Sequence, residues 1–130
     1  MPKIQLLDET LAGQKSEPLE LDWNSNTISA RDLIASRVEE EVRRHNARNA
    51  EVFHGLVQPT DSERVLNGFR LRSPRLIDAT AQIELALKAF DANGFFLLVN
   101  DRQIESLDEL IPIELDTQVS FVKLVPLKGG

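Results

Sequence analysis

Apolar and polar residues alternate near the start of the chain, in two runs separated by a turn. Residues 3–11 carry the first run, and residues 18–23 repeat an apolar side chain at every second position. Alternation of this kind is typical of a strand with one buried face. Residues 12–16 between the runs contain a glycine, so the pattern predicts a β-hairpin.

The period then changes to that of a helix. Ser29 is suited to cap its first turn, with Asp32 three residues later, and the pattern fades near Asn46. The spacing predicts an amphipathic helix of about four or five turns. The apolar stripe consists of Leu33, Ile34, Val38 and Val42, and the charged residues expected on the solvent side are Arg37, Glu39, Glu40, Arg43 and Arg44.

The middle of the chain predicts short strands and a second helix. The strands are expected at 52–57 and 69–72, and Pro74 excludes a helix through that point. Asp78 is then a plausible N-cap and Gly94 a plausible helix stop. The apolar stripe of this helix is Ile83, Ala86, Leu87 and Phe90, which predicts core rather than a ligand site.

The last part of the chain predicts further strands. They are expected at 95–99, 103–105 and 119–125, with a turn at 100–102 and a single helical turn at 107–111. Two registers are open for the last strand. Phe121 and Val125 favour one buried face, whereas Val122 and Leu124 favour the other.

Composition limits the class of protein. The chain has 130 residues, no cysteine and a net charge of −6, so disulfides and thiolate metal sites are excluded. The negative charge disfavours nucleic-acid binding. No apolar run is long enough for a membrane span, and the start lacks the features of a signal peptide. We therefore expect one domain, no membrane or nucleic-acid partner, and a cytoplasmic location.

The sequence ends in Gly129-Gly130. Two glycines at this place have a chance probability of about half a per cent at average glycine usage. Because glycine has no Cβ, it can enter a channel too narrow for other residues. The pattern favours a terminal carboxylate that a partner enzyme activates.

Three segments resemble ubiquitin and its relatives. Residues 97–105 resemble the ubiquitin strand, turn and return strand, residues 106–111 resemble its short helical turn, and residues 127–130 resemble its Leu-Arg-Gly-Gly tail. Residues 3–44 match in the order of elements. The resemblance implies an α+β, β-grasp fold, in which a mixed sheet packs on a helix, in one domain over 1–130.

Two features depart from ubiquitin. A helical insertion of about 50 residues, near 45–94, separates the first helix from the third strand. Pro126 stands where the ubiquitin tail has arginine, and a proline before Gly-Gly is similar to the sulfur carriers of molybdopterin and thiamine synthesis. The chain most resembles bacterial ubiquitin-like modifiers encoded with activating and conjugating enzymes and a JAB-type metalloprotease, several of which serve antiphage defence.

The resemblance implies a substrate rather than an enzyme. A ubiquitin-activating-like enzyme would adenylate Gly130 with ATP, and a conjugating-like enzyme would pass it through thioesters to an amine of a target protein. A JAB-type metalloprotease would remove it. The resemblance implies no bound cofactor and no metal.

Recognition by these partners is expected to use two regions. The flexible tail, residues 126–130, would present Pro126, Leu127 and Lys128 beside the glycines. A partner patch is expected at Leu98 and Leu124, by correspondence with the third and last strands of ubiquitin. The alternative for both leucines is burial in the core.

Two other functions stay open. The chain could be a sulfur carrier whose Gly130 becomes a thiocarboxylate, or a β-grasp interaction domain that is never conjugated. The insertion favours a modifier over a sulfur carrier, since the resemblance implies that sulfur carriers are shorter.

Overall fold

The computed structural model describes residues 3–16, 18–48, 50–65, 68–73 and 75–124. Over these residues the protein is α+β, with a mixed sheet and two helices, which confirms the predicted class. The predictions for the tail, including Pro126, Leu127, Lys128, Gly129 and Gly130, lie outside the described residues.

Strands and helices follow one another along the described chain. They are β1 (Lys3–Thr10), β2 (Leu19–Asp22), β3 (Thr27–Ser29), α1 (Ala30–Arg48), β4 (Val52–Phe53), β5 (Ser62–Val65), β6 (Gly68–Leu71), α2 (Ala79–Asp91), β7 (Phe95–Val99), β8 (Arg102–Ile104), β9 (Leu110–Pro112) and β10 (Gln118–Lys123). They form two compact units, of which the first consists of residues 3–33 and 90–124 and the second of residues 34–89.

The first unit contains a five-stranded sheet with the order β2-β1-β10-β7-β8. β1 and β10 are parallel neighbours near its centre, and every other neighbouring pair is antiparallel. The predicted β1–β2 hairpin is confirmed. Its turn places Gly13 at φ +88°, a conformation that favours glycine, and the Gly13 N–H donates to the Thr10 carbonyl at 2.9 Å.

One face of this sheet belongs to the core. Val119 and Phe121 are completely buried, which decides the register of the last strand in favour of Phe121. On β1, Ile4 and Leu6 are buried on the same face because side chains alternate along a strand. Burying a large apolar side chain stabilises the fold by about 1.5–3 kcal/mol.

The helical turn predicted at 107–111 is wrong. Its first residues form a turn, but its last two belong to β9, which pairs antiparallel with β3. This segment also caps α1 because the N–H groups of Ala30 and Arg31 donate to the carbonyls of Glu109 and Leu107, each at 2.9 Å. These are N–H groups that a helix cannot satisfy within itself.

Both helices begin where the sequence predicts. Ser29 Oγ accepts the Asp32 N–H at 3.0 Å at the start of α1, and Asp78 Oδ1 accepts the Thr80 N–H at 3.2 Å at the start of α2. The end of α2 differs from the prediction, because the left-handed residue is Asn93, with φ 61°, and not Gly94. The predicted apolar stripe of α1 is buried throughout, at Leu33, Ile34, Val38 and Val42.

Arg37 was expected in solvent, and that prediction is wrong. Its side chain is 6% exposed, and its Nε and Nη2 both lie 2.9 Å from Glu41 Oε2. Glu41 is also buried, and its Oε1 accepts the Leu56 N–H at 3.1 Å. The charges tolerate burial because each has a partner one helical turn away and the second carboxylate oxygen has a donor.

The second unit also contains a three-stranded antiparallel sheet, in the order β4-β6-β5. The sequence analysis identified β6, whereas it missed β5 and extended β4 to residue 57. β4 ends at Phe53 because the chain then folds back over its ring. A Cβ on Gly55 would overlap that ring, so this close approach requires glycine.

Side chains of the two helices anchor the irregular segments of the second unit. Asn46 on α1 donates to the Ile77 carbonyl at 3.0 Å and accepts the Ile77 N–H at 2.9 Å. Gln82 on α2 is buried and donates to the Val57 carbonyl at 2.8 Å. The buried stripe of α2 is therefore Gln82, Ala86 and Phe90, whereas Ile83 and Leu87 are half-buried.

The buried Arg37–Glu41 pair makes a first prediction. Arg37→Met removes the guanidinium beside a buried carboxylate, so we expect the free energy of unfolding to fall by about 3–5 kcal/mol in urea denaturation. Arg48→Met is the matched control at an exposed position in the last turn of α1, where little change is expected. Equal losses in the two variants would contradict this assignment.

The pKa of Glu40 makes a second prediction. A hydrogen bond from Arg43 is the largest cause that lowers this pKa, from 4.5 to about 2. Burial opposes the change, and a hydrogen bond from Arg44 lowers the pKa further. A lowered pKa contributes stability that is present above pH 4.5 and lost as the pH falls towards 2. Unfolding of the wild type and of Glu40→Gln should therefore converge over this range. An unchanged difference between them at all pH values would exclude the effect.

Candidate functional site

The candidate site among the described residues is the sheet face opposite the core, called the outer face below. Alternation along β7 turns Leu97 towards the core and Leu98 to the outer face. Leu98 lies opposite Ser120 on β10, and Ser120 lies opposite Leu7 on β1. These three residues form one row across the middle of the sheet.

A second row lies beside the first. Phe96 on β7 is opposite Val122 on β10, and Val122 is opposite Glu9 on β1. Phe96 and Leu98 are half-buried, whereas Leu7 and Val122 are buried. The outer face therefore has an apolar centre, of which the two β7 side chains are the accessible part.

Charged pairs lie along the β1 side of the sheet. Lys15 Nζ is 3.5 Å from Glu9 Oε1, and Lys3 Nζ is 4.0 Å from Glu20 Oε1. Exposed pairs of this kind contribute at most about 1 kcal/mol. Their role at the outer face is to set a polar margin beside an apolar centre, an arrangement that suits protein recognition.

The last residue of β10 forms an ion pair with β1. Lys123 Nζ lies 3.2 Å from Asp8 Oδ2, which joins the last residue of β10 to β1. Leu124 follows directly and is half-buried, so both leucines of the predicted patch are partly accessible. Whether they contact a partner stays a prediction, and the residues predicted for recognition and activation, 126–130, lie outside the described chain.

The described residues offer little for other chemistry. Over the ranges that the structure describes, no group of three His, Cys, Asp or Glu side chains is placed to hold a metal ion. In the same part of the chain, no helix is long and apolar enough to cross a membrane. The outer face can bind apolar groups.

Comparisons with known protein families, curated proteins and solved structures gave no match for this chain.

Sequence reasoning identified Leu98 but missed Phe96 and Leu7 as members of the outer face. The apolar run at 95–99 does not show which side chains share a face with other strands. That information lies in the pairing of β7 and β1 with β10, which joins residues far apart in the chain. The sequence signal that could have found Phe96 is its separation of two residues from Leu98.

The two faces of β7 make a third prediction. Leu97→Asp places a carboxylate in the core and should abolish cooperative unfolding, whereas Leu98→Asp should leave a folded protein of moderately reduced stability. Circular dichroism during urea titration measures both. An equal loss of structure in the two variants would show that Leu98 is part of the core.

Proposed function

We propose that this protein is a bacterial ubiquitin-like modifier with a β-grasp fold, joined through the carboxylate of Gly130 to amines on target proteins. In this proposal the insertion is the helical segment near 45–94 that the sequence predicts, and antiphage defence is the setting that the resemblance suggests. The chain is a substrate of activating, conjugating and deconjugating enzymes and supplies no catalytic residue. The carboxylate of Gly130 could arise by translation or by cleavage.

The observation that supports this proposal most is the arrangement of the five-stranded sheet. The hairpin, α1, β7, β8 and β10 follow one another in the order on which the resemblance rests, whereas β9 stands where a helical turn was expected. The sheet then places β10 in parallel beside β1. This makes β10 the central strand of the sheet, and the tail follows it in the sequence.

The length of the tail suits delivery of a carboxylate into a partner. Gly130 comes seven residues after the end of β10 at Lys123. A fully extended chain of this length spans about 23–25 Å. Pro126 has no N–H, so strand pairing is expected to stop before it. Lys128 would meet an acidic side chain of the partner at the entrance of its channel.

The proposed chemistry takes place on partner enzymes. The Gly130 carboxylate attacks the α-phosphate of ATP, which forms an acyl-adenylate and releases pyrophosphate. An enzyme thiol attacks the acyl carbon and releases AMP, giving a thioester. A target amine then displaces the thiol and forms the amide. Leu98 and Leu124 are the proposed contact for these enzymes.

One specific feature supports a second candidate, a sulfur carrier. Pro126 precedes the Gly-Gly end, as it does in the sulfur carriers that the tail resembles. In that function a sulfide displaces AMP from the adenylate and leaves a thiocarboxylate at Gly130. The two candidates share the first step and differ in the final product. A third candidate, an interaction domain, needs no activation at all.

Mass spectrometry of the tagged chain isolated from its source cells makes the fourth prediction. Trypsin cleaves after Lys128, so conjugation leaves a Gly-Gly remnant on lysines of other proteins. We expect such remnants for the wild type and none for Gly130→Asp, because a side chain there would not fit the channel. Gly94→Ala, at an exposed loop glycine, is the control and should conjugate normally.

Two other results would contradict the modifier function and support another candidate. Exchange of one carboxylate oxygen for sulfur in the intact mass, without branched peptides, would identify a sulfur carrier. If neither product forms in cells that contain the activating enzyme and ATP, the interaction domain is the candidate that fits.

A further inference from the structure

A recess of about 280 Å³ opens at one edge of the five-stranded sheet. It lies within the first unit, where β7 begins, β8 ends and the last residues of α2 approach them. Phe90, Phe95 and Ile104 lie behind its surface and are each at most 7% exposed, so the accessible lining is mainly polar. The rings of Phe90 and Phe95 are 5.9 Å apart and tilted by 58°.

The rim of the recess is acidic. Asp91 and Glu105 line it and are both exposed, and neither forms an ion pair with another described residue. The remaining polar lining residues, Asn93 and Gln103, are uncharged. Lys88, one turn earlier on α2, does not line the recess. The recess is therefore bordered by negative charge that no lining residue neutralises.

The position of Asp91 adds to this negative potential. It is the last residue of α2, where the helix carries a partial negative charge. A carboxylate at this end is electrostatically unfavourable for the helix, so helix stability does not account for it. A bound cation would interact favourably with the carboxylate and with the helix end together.

The sheet also leaves a short backbone edge at the recess. β8 pairs only with Leu97, Leu98 and Val99 of β7. Phe95 and Phe96 pair with β10 on their other side and extend beyond the end of β8. A strand edge without a partner can pair with an extended peptide.

We propose that this recess binds an extended segment of a partner protein through a lysine or arginine side chain. The cationic group lies between Asp91 and Glu105, whose carboxylates border the recess. The peptide backbone follows the open edge at Phe95–Phe96. This site is separate from the Gly130 chemistry, and its test does not depend on conjugation.

Nuclear magnetic resonance titration with the capped peptide acetyl-Val-Arg-Val-amide tests the proposal. We expect chemical-shift changes confined to residues 90–96 and 103–105, and weaker binding when salt is raised. The same peptide with citrulline in place of arginine has no charge and should not bind. Equal binding of the citrulline peptide, or shift changes elsewhere only, would overturn the proposal.

A matched pair of variants tests the two carboxylates. Asp91→Asn with Glu105→Gln should weaken peptide binding at least about tenfold, as expected for the loss of charged hydrogen bonds. Glu114→Gln with Asp116→Asn removes the same charge from an exposed turn and should leave binding unchanged. Equal losses would mean that net charge alone attracts the peptide, which contradicts a defined site.

N-Butylguanidine separates the contribution of the cation from that of the peptide backbone, since it carries one guanidinium on a short alkyl chain. We expect it to bind at least about tenfold more weakly than the peptide, because it cannot pair with the open edge. Equal affinity would identify a site for small organic cations and would overturn the assignment of a protein segment. A dispersed amide spectrum for each variant verifies that it is folded.

Discussion

The parallel pairing of β1 and β10 is the constraint on which the first unit depends. Six residue pairs join these strands, which come from opposite ends of the described chain. Parallel strands cannot be joined by a tight turn, so all the intervening elements form the connection between them. The hairpins β1–β2 and β7–β8 then extend the sheet on either side. The faces of the sheet and its open edge at Phe95–Phe96 follow from this central pairing.

The structure of the second unit depends on hydrogen bonds from helix side chains to the backbone of irregular segments. Its small sheet has short strands, and side chains of Glu41, Asn46 and Gln82 bind backbone groups that would otherwise lack partners. A buried backbone group without a hydrogen bond costs about 1–3 kcal/mol, so each of these side chains fixes the path of a segment. This explains why buried polar residues occupy helix positions that an apolar stripe would normally fill.

The two proposed surfaces of the first unit have different chemistry because they use different parts of one sheet. The outer face presents the alternate side chains of β7 and β10, which gives an apolar centre at Phe96 and Leu98. The recess uses the end of the sheet, where the backbone edge and two carboxylates lie together. An apolar contact tolerates high salt, whereas binding at the recess depends on charge.

Local patterns in the amino-acid sequence were sufficient for the first hairpin, both helix starts and the buried stripe of α1. Each depends on residues within about one turn or one strand of each other, where alternation, capping and helical period act directly. The same patterns predicted Leu98 on a strand, but they did not predict which residues form the outer face or the recess. They were also wrong at Arg37 and at 107–111, where a buried partner and the strand β3 override local preference. Burial and strand register are decided by contacts between distant residues, and only the folded chain brings those residues together.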